Sequence, residues 1–414
     1  MLQPRTIEII KSTVPALEAH GRAITSRFYQ LLFESHPELL NIFNHVNQKQ
    51  GRQQAALANA VYAAARYIDQ LETILPVVQQ IAHKHRSLGV KPEHYPVVGK
   101  HLLLAIKEVL GDAATDEILG AWAEAYGVIA DVFISVERQM YERAASQPGG
   151  WEGFRAFVIA RKVAESEVIT SFYLRPADGG AIAAFEPGQY ISVKLDIPGE
   201  QYTHIRQYSL SDAPGKGYYR ISVKREDAAG KPEGRISTHL HRDLKEGDTV
   251  LVSAPAGDFT LRRGAERPVV LISGGVGLTP MVSMLNTLVS EEPARPVTFI
   301  HAAAHGRVHA MGQHVAQIAA AHPQVRAHLI YSEPTEEDRA RGGFKEGRID
   351  LAWLQSVVPS KDADFYFCGP IPFMSCIRDS LRTWGVPEER IHFEFFGPAA
   401  DLSAARDVGA APRA

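Results

Sequence analysis

A histidine on the apolar side of a short helix is the first residue whose type and position could support chemistry. The spacing predicts a helix over Thr73–Leu88, with Pro76 in its first turn. Val78, Ile81 and His85 follow at intervals of three and four residues, which place them on one side of that helix. His85 is therefore predicted to point into a core, either as a hydrogen-bonded core residue or as a ligand of a bound group.

A glycine-rich segment in the last third of the chain has the composition of a phosphate-binding loop. It follows the strand-like run Val269–Ser273 and precedes a helical pattern. Glycines let a ligand approach the backbone, and the free N–H groups of a helix N-terminus attract phosphate. The spacing is G-x-G-x-x-P, in which proline replaces the third glycine of the dinucleotide-binding fingerprint. The segment consists of Gly274, Gly275, Val276, Gly277, Leu278, Thr279 and Pro280.

Three blocks of different character must position these residues. Residues 1–147 have apolar spacings of three and four and no period-two strand, which predicts an all-α domain. Residues 151–263 contain short β-type runs between turn residues, which predict a small antiparallel barrel. Residues 267–398 alternate strands and helices, as in a doubly wound parallel sheet, and the Ala-rich residues 399–414 are predicted to form a loose tail. The predicted strands are Ala156–Lys162, Val168–Leu174, Tyr190–Leu195 and Tyr218–Lys224 in the barrel, and Pro268–Ser273, Val297–Ala302, Arg326–Tyr331 and Asp364–Cys368 in the sheet.

Composition and charge exclude several classes of protein. With 44 Lys and Arg against 47 Asp and Glu, the net charge of −3 gives no reason to expect nucleic acid or an anionic membrane as partner. Two cysteines, Cys368 and Cys376, cannot form a disulfide framework. The N-terminus is too charged for a secretory signal, and glycines and Pro280 interrupt the longest uncharged run, Val269–Ser290. We therefore expect a cytoplasmic protein without an integral membrane segment.

Aromatic and polar residues ahead of His85 occur in the order found in bacterial globins, which this block resembles. Taken singly, each of them could be an ordinary packing residue. The resemblance implies that His85 is the proximal ligand of haem iron and that Phe43 packs on the haem. It also implies a distal polar pair, Tyr29 and Gln53, with Leu57 in the haem pocket.

Two further residues match the proximal side of one globin subgroup, the flavohaemoglobins. Tyr95 lies ten residues after His85, and Glu137 lies on the last predicted helix. The resemblance implies that both interact with the second ring nitrogen of the proximal histidine, which fixes its tautomer and strengthens its donation to iron. The alternative for Glu137 is a solvated helix charge paired with a neighbour.

The barrel block resembles the flavin domains of the ferredoxin-reductase type. Its R-x-Y-S strand begins at Arg206, which could pair with a cofactor phosphate, and Tyr208 could lie against the isoalloxazine. Tyr208 alone could also be an ordinary barrel aromatic, but two further segments match, and two phosphate-binding positions favour FAD over FMN. The residues implied to bind FAD are Tyr190, Arg206, Gln207, Tyr208, Ser209, Gly234, Ser237 and Thr238.

The last block resembles the nicotinamide domain of the same reductases. Proline in the first helical turn after the glycine loop fits that domain. The C-G-P corner, which in isolation could be a simple strand-ending turn, matches the family's segment beside the nicotinamide, and the terminal F-F-G-P matches the segment that returns an aromatic ring to the flavin. These two segments are Cys368, Gly369 and Pro370, and Phe395, Phe396, Gly397 and Pro398.

All three blocks in this order resemble the flavohaemoglobins over residues 1–398. The resemblance implies haem b, FAD and NAD(P)H as cofactors, with O2 and nitric oxide as partners. The implied activity is that of a nitric oxide dioxygenase, which oxidises nitric oxide with O2 to nitrate at a haem reduced by NAD(P)H through FAD. A flavin suits this task because it accepts electron pairs and releases single electrons.

Two alternatives remain beside this interpretation. One is an NAD(P)H-dependent reductase of alkyl or lipid hydroperoxides, and the other is a globin that senses gas or redox state. The sequence leaves open the choice between NADH and NADPH, for which His305 and Arg307 could contact a 2′-phosphate. It also leaves open the resting haem ligation and a lipid in the distal haem pocket. We expect a monomer.

Overall fold

The computed structural model describes residues 2–43, 48, 51–227 and 234–396. The chain forms two compact units. One consists mainly of Met1–Phe154 with Lys194–Arg206, and the other mainly of Arg155–Val193 with Gln207–Gly397. The predicted tail, residues 399–414, lies outside the described residues.

The first unit is helical up to Ser146, as the apolar spacing predicts. Ile24, Phe28 and Leu32, at intervals of four on the second helix, are buried in one apolar core with Trp122. The predicted helix over Thr73–Leu88 begins two residues later than expected, because its first residues form a tighter 3-10 turn. The helices are α1 (Pro4–Ser12), α2 (Val14–Ser35), α3 (Arg52–Arg66), α4 (Leu75–Leu88), α5 (His94–Leu110) and α6 (Asp116–Ser146), with 3-10 turns at Pro37–Asn41, Leu71–Ile74 and Gly111–Ala113.

Helix α6 is the one helix of the described residues that is long and apolar enough to cross a membrane by length and composition. Its N-cap is Thr115, whose hydroxyl accepts a hydrogen bond from the Ile118 N–H. Its buried residues include Trp122 and the carboxylate of Glu137, and it packs against α1, α4 and α5.

The barrel block forms a six-stranded sheet in the order β4-β3-β6-β1-β2-β5. β1 and β2 are antiparallel with a bulge between Ile159 and Arg161, and β2 is antiparallel to β5. A β-bridge between Leu210 and Ile221 joins the edge strands β4 and β5, which closes the sheet. The elements are β1 (Phe154–Ala164), β2 (Ile169–Pro176), β3 (Tyr190–Leu195), β4 (His204–Ser209), β5 (Tyr219–Lys224), α7 (Arg235–Arg242) and β6 (Thr249–Ser253).

The last block is a parallel sheet in the order β10-β9-β8-β7-β11-β12. The chain leaves β7 toward one edge and returns to β11 on its other side, so the carboxyl ends of β7 and β11 flank a topological switch point. Every residue of β7 is buried. The elements are β7 (Val269–Gly274), α8 (Leu278–Glu291), β8 (Val297–Ala303), α9 (Gly312–Ala321), β9 (Val325–Tyr331), α10 (Glu336–Arg341), β10 (Lys345–Glu346), α11 (Leu351–Val357), β11 (Asp364–Cys368), α12 (Ile371–Trp384) and β12 (Ile391–Glu394).

Candidate functional site

The proximal residues predicted from sequence lie together. His85 is in the last turn of α4, which ends at Gly89 in the left-handed conformation. Its Nδ1 lies 2.7 Å from Oε1 of Glu137 and 3.2 Å from the hydroxyl of Tyr95. The Tyr95 hydroxyl in turn donates a 2.6 Å hydrogen bond to the same carboxylate oxygen. Because Nδ1 makes both of these polar contacts, Nε2 is the ring nitrogen that can bind a metal.

The electrostatics of this side hold Tyr95 as a neutral donor. Burial, and after it the charge of Glu137, raises the pKa of the Tyr95 phenol far above its ordinary value. Glu137 itself is buried, with 3% of its side chain exposed. The carboxylate therefore accepts the hydrogen bonds that fix the His85 ring and the Tyr95 hydroxyl.

Two aromatic residues that support this side were not found from the sequence. The Tyr126 hydroxyl donates to the Tyr95 backbone carbonyl at 2.7 Å, and the ring of Phe133 lies 5.9 Å from that of His85. Gly99 on α5 lets this helix approach α6, since a Cβ there would lie 2.5 Å from the Tyr126 ring. Phe133 lies four residues before Glu137, so helical spacing was the signal that could have indicated it.

The distal residues also lie together, around the phenol of Tyr29. The side chains of Gln48 and Gln53 act on this hydroxyl in the direction that lowers its pKa, but burial outweighs them and raises the pKa well above the ordinary value. The ring of Phe43 stands edge-on to that of Tyr29 at 5.7 Å. Leu57 packs against the same core. Gln48 was not predicted, because it lies in a segment without apolar periodicity.

The residues of this region fit a haem. The side chain of His85 is 33% exposed even though its Nδ1 edge is held against a buried carboxylate. Phe43, Leu57 and Val98 pack on the apolar core with only part of their surface, so the rest of each side chain is open to a flat apolar ligand. An imidazole nitrogen that the proximal hydrogen bonds leave unused, in a helical unit with partly exposed apolar side chains, is the donor that haem iron takes from a globin.

On the predicted flavin strand, Gln207 Nε2 donates to the Ser192 hydroxyl at 3.1 Å, which ties β4 to β3. Ser209 is buried, whereas Arg206 and Tyr208 keep part of their surface exposed. On β3, Tyr190 packs closely on Gly257, where a Cβ would lie 3.0 Å from its ring. The exposed parts of Arg206 and Tyr208 are available to a ligand.

The first turn of α7 fits a phosphate group. Gly234 caps this helix, and the Ser237 hydroxyl is used locally, since it donates to the Gly234 carbonyl at 2.9 Å and accepts from the Glu226 N–H at 3.1 Å. The Thr238 hydroxyl is buried and has no hydrogen-bond partner in the described part of the chain. An orphaned hydroxyl at the N-terminus of a helix, where the first N–H groups have no partner within the helix, suits a bound anion.

The glycine loop and the C-G-P corner meet at the switch point. A Cβ on Gly277 would lie 2.2 Å from the Cys368 carbonyl oxygen, and one on Gly369 would lie 3.2 Å from the Gly274 Cα. Gly275 has φ +55°, and its missing Cβ would point into open space. Val276 also keeps part of its surface exposed. The loop is therefore open at Gly275 and Val276 and tightly packed against Cys368 at Gly277. The buried residues behind it are Leu278, Thr279 and Pro280.

The corner does not supply a nucleophile. Cys368 is fully buried, and burial raises the pKa of its thiol well above the ordinary value. Pro370 caps α12 at its N-terminus. Phe395 and Phe396 follow β12, with Phe396 47% exposed. The last two predicted residues of this set, Gly397 and Pro398, lie outside the described residues.

Three family models match the chain. The globin model matches residues 26–133, the oxidoreductase FAD-binding domain matches residues 157–261, and the oxidoreductase NAD-binding domain matches residues 271–379. The three ranges fall within the three blocks predicted from the sequence. The exact limits predicted for those blocks stay predictions.

The chain is also similar to characterised proteins over nearly its full length. It is 61% identical over 403 residues to the flavohemoprotein of Bacillus thuringiensis, covering 97% of this chain and 100% of the relative. It is 55% identical over 404 residues to that of Bacillus subtilis, covering 97% and 99%. At 28% identity, the crystal structure of the Malassezia yamatoensis flavohemoglobin with bound FAD and haem superposes with a TM-score of 0.83, covering 96% of this chain and 100% of that one.

A second solved structure matches the reductase part alone. The FAD/NAD-binding domain of the nitric oxide dioxygenase of Vibrio cholerae is 42% identical, with a TM-score of 0.55, and covers 59% of this chain and 99% of its own. The family models establish an oxidoreductase that uses a nicotinamide nucleotide and FAD next to a globin with haem. Because its relatives match almost from end to end, the chain belongs to the flavohaemoglobin family.

Proposed function

We propose that this flavohaemoglobin is a nitric oxide dioxygenase, which oxidises nitric oxide with O2 to nitrate and takes its electrons from NAD(P)H. The observation that carries the proposal is the 2.7 Å contact between His85 Nδ1 and the buried Glu137 carboxylate. A globin that only stores oxygen has no need for a charged partner on its proximal histidine. A carboxylate at that position makes the imidazole a stronger electron donor, which an oxidative reaction requires.

When bound, NAD(P)H supplies electrons in pairs, FAD releases them singly, and haem iron binds the gas. On the proximal side, Glu137 holds the proton on Nδ1 of His85 and so keeps Nε2 free to donate. The Tyr95 hydroxyl, 2.6 Å from the same oxygen, stops the carboxylate from rotating away. The protein thus holds His85, the residue that would bind the haem iron, in one tautomer and one orientation.

On the distal side, Tyr29 is placed to donate a hydrogen bond. Burial raises the pKa of its phenol, so the hydroxyl keeps its proton at any physiological pH. The ring packs against Phe28 and Phe43, which fixes the position of the hydroxyl. A fixed donor in an apolar pocket stabilises negative charge that develops on a bound diatomic ligand.

The similarity to the reductase domain of the Vibrio cholerae nitric oxide dioxygenase supports the proposal at the level of the electron supply. We further propose that the protein acts in the cytoplasm, where reduced nicotinamide nucleotide is regenerated. The proposed partners are O2 and nitric oxide, in addition to NAD(P)H.

The test is a comparison of substrates with the purified holoenzyme. With NADH and O2 present, nitric oxide consumption is followed at an electrode and nitrate is measured at the end. We expect one nitrate for each nitric oxide consumed, at a rate above that of NADH oxidation with an alkyl hydroperoxide. Faster turnover with the hydroperoxide, or nitric oxide loss without nitrate, would contradict the proposal.

A further inference from the structure

A buried carboxylate joins the flavin barrel to the nicotinamide domain. Asp212 lies three residues after the end of the flavin strand β4 and is buried, with 4% of its surface exposed. Its Oδ1 accepts hydrogen bonds from its own loop, from the Ala213 N–H and Lys216 Nζ, each at 2.8 Å. Its Oδ2 accepts one from the Tyr218 hydroxyl at 2.9 Å, and Arg220 lies 3.7 Å away.

Helix α8 of the nicotinamide domain contacts the same residue twice. Asn286 Nδ2 donates to Asp212 Oδ1 at 2.8 Å, and the Ser283 hydroxyl donates to the Asp212 backbone carbonyl at 2.7 Å. Ser283 and Asn286 are three residues apart and therefore lie on one side of the helix. We call these three residues, Asp212, Ser283 and Asn286, the Asp212 latch.

The orientation of the Asn286 amide is fixed from both ends. Its Oδ1 lies 2.8 Å from Nε2 of His314 on α9, while its Nδ2 faces the carboxylate. Burial lowers the pKa of His314, so the ring is neutral and donates through Nε2. Burial alone would raise the pKa of Asp212, but Arg220 and the hydrogen bonds from Lys216 and Asn286 outweigh it and lower the pKa. The carboxylate therefore stays charged and fully hydrogen-bonded.

Much of the remaining interface is apolar. A further ion pair lies at the carboxyl end of α8, where Arg263 Nη1 is 3.0 Å from Glu291 Oε2 and both side chains are partly exposed. Ile169, Phe259 and Leu261 of the barrel block share one core with Met281 and Leu285 of α8. Such a core holds the two domains together, but apolar contact is non-directional and tolerates small shifts. Hydrogen bonds to a fixed, buried carboxylate are directional, so the latch restrains the register of α8 on the barrel at a point nearer the glycine loop than the Arg263–Glu291 pair.

The latch lies close in the chain to both proposed cofactor segments. Asp212 is four residues after Tyr208 on the flavin strand, and Ser283 is six residues after Gly277 of the glycine loop. A helix is stiff over this length, so a shift at Asn286 moves the loop at its N-terminus. Reaction between two cofactors needs the reacting atoms about 3–3.5 Å apart, and a displacement of about 1 Å can cost about 100-fold in rate.

We propose that Asp212, Ser283 and Asn286 are positioning residues that set the distance between the flavin strand and the nicotinamide loop, and thereby the rate at which NADH reduces FAD. In that step a hydride, one proton with two electrons, moves from NADH to FAD, which gives NAD⁺ and the anion FADH⁻. The inference rests on the proposed placement of FAD at Tyr208 and of the nucleotide at the glycine loop. It is independent of the reaction at the haem.

The test compares the double variant Ser283→Ala/Asn286→Ala with Thr287→Ala in the full-length holoenzyme. Thr287 is the matched control, because it lies on the same helix and its hydroxyl donates to the Ser283 carbonyl within that helix, at 2.8 Å. FAD reduction is followed without oxygen by rapid mixing with NADH and with NADH deuterated at C4. FAD content, the visible flavin spectrum and NAD⁺ affinity are measured in the same samples.

We expect the limiting rate of FAD reduction in the double variant to fall about ten- to 100-fold. The deuterium isotope effect should be larger than in the control, since transfer itself becomes slower. FAD content and the dissociation constant of NAD⁺ should stay within about twofold of the control, because the groups that bind either cofactor are untouched. A slower FAD reduction with unchanged FAD content and NAD⁺ affinity distinguishes a residue that positions the two cofactors from one that only stabilises the fold.

Equal limiting rates and isotope effects in the two variants would overturn the inference. Loss of FAD or of NAD⁺ affinity in the double variant would also overturn it, because the latch would then be structural. Asp212→Asn gives a second measurement, since it keeps the shape but removes the charge. Failure of the cofactor placement would appear separately, as a Tyr208→Ala variant with an unchanged flavin spectrum.

Discussion

At the residue scale, Glu137 is the residue through which the proximal side of the haem unit can be tested. Its buried carboxylate contacts both His85 and Tyr95. In Glu137→Gln the shape remains but the negative charge is lost, so the imidazole becomes a weaker donor. We expect near-normal haem content, a lower iron–histidine stretching frequency in the Fe(II) Raman spectrum, and nitric oxide dioxygenation reduced about 10–100-fold.

The control for this variant is Glu142→Gln, on the same helix but at an exposed position. Reduction of FAD by NADH should be unchanged in both variants, because neither residue belongs to the reductase domains. An unshifted stretching frequency with full turnover in Glu137→Gln would show that the carboxylate has no role in tuning the iron ligand.

Tyr29 gives the corresponding test on the distal side. Tyr29→Phe removes the hydroxyl and keeps the ring that packs against Phe28 and Phe43. A hydrogen bond to a partly charged acceptor contributes about 1.5–3 kcal/mol, so O2 should dissociate roughly ten- to 100-fold faster. Laser photolysis or rapid mixing measures this rate, with Tyr62→Phe of the same core cluster as control. Equal dissociation rates in the two variants would remove Tyr29 from the site.

At the scale of elements, the close approach of the glycine loop to β11 can be tested with one methyl group. In Gly277→Ala the new Cβ would lie 2.2 Å from the Cys368 carbonyl oxygen, which is backbone and cannot move aside. The loop must therefore shift, and we expect kcat/KM for NADH to fall about tenfold or more while O2 binding is unchanged.

Gly120→Ala on α6 is the control for this variant, since a Cβ there meets nothing within 4 Å. It should leave kcat/KM for NADH unchanged, because the added methyl group contacts nothing. Wild-type kinetics with NADH in Gly277→Ala would mean that the loop and the C-G-P corner do not need to be in contact.

The loop that follows β8 makes stability depend on pH. His309 lies against His301 at 4.7 Å and within 2.8 Å of the Tyr331 hydroxyl, and burial lowers its pKa to about 4. The unfolded chain binds a proton near pH 6.5, so this contribution to stability is complete above pH 6.5 and is lost as the pH falls toward 4.

Replacing His309 by Gln removes the titrating group and should flatten this dependence. We expect the Tm of the full-length protein to fall less between pH 7 and pH 5 in the variant than in the wild type. Thermal unfolding followed by circular dichroism measures it, with His20→Gln in the helical unit as control. A parallel fall in wild type and variant would contradict the assignment.

At the scale of the whole molecule, the apolar core of the helical unit lies within its first 129 residues. We therefore expect a fragment of residues 1–147 to bind haem and O2 but not to be reduced by NADH. Absorption spectra under nitrogen, before and after NADH, measure both properties, with the full-length protein as control. A fragment that NADH reduces as fast as the full-length protein would contradict the electron path through residues 151–398.

Residues 194–206 are an exception to this separation along the chain. They belong to the same compact unit as the helices, where the Thr203 N–H donates to Asn41 Oδ1 at 2.9 Å. Nothing in the local sequence around Thr203 indicated this contact. Local patterns carry no information on which distant segment will meet a strand-connecting loop.

The sequence by itself determined the kind and order of the three blocks, whereas the short strands β10 and β12 were not among the strands that it predicted. Apolar periods of three to four or of two residues distinguish helices from strands, because burial of one side is what stabilises either element. It also determined the positions of the motifs, from Tyr29 and His85 to the glycine loop. The start of α4 was missed by two residues, since a 3-10 turn that leads into an α-helix repeats with a similar spacing of three to four residues.

Only the tertiary structure decided which of these residues meet. His85 and Glu137 are 52 residues apart, and Asp212 and Asn286 are 74 apart, yet both pairs are within hydrogen-bonding distance. Such contacts depend on the angle and spacing at which whole elements pack, to within a fraction of an ångström. The spacing of residues along one segment shows which of them lie on the same side of that helix or strand. It does not show how far those residues lie from another helix or strand.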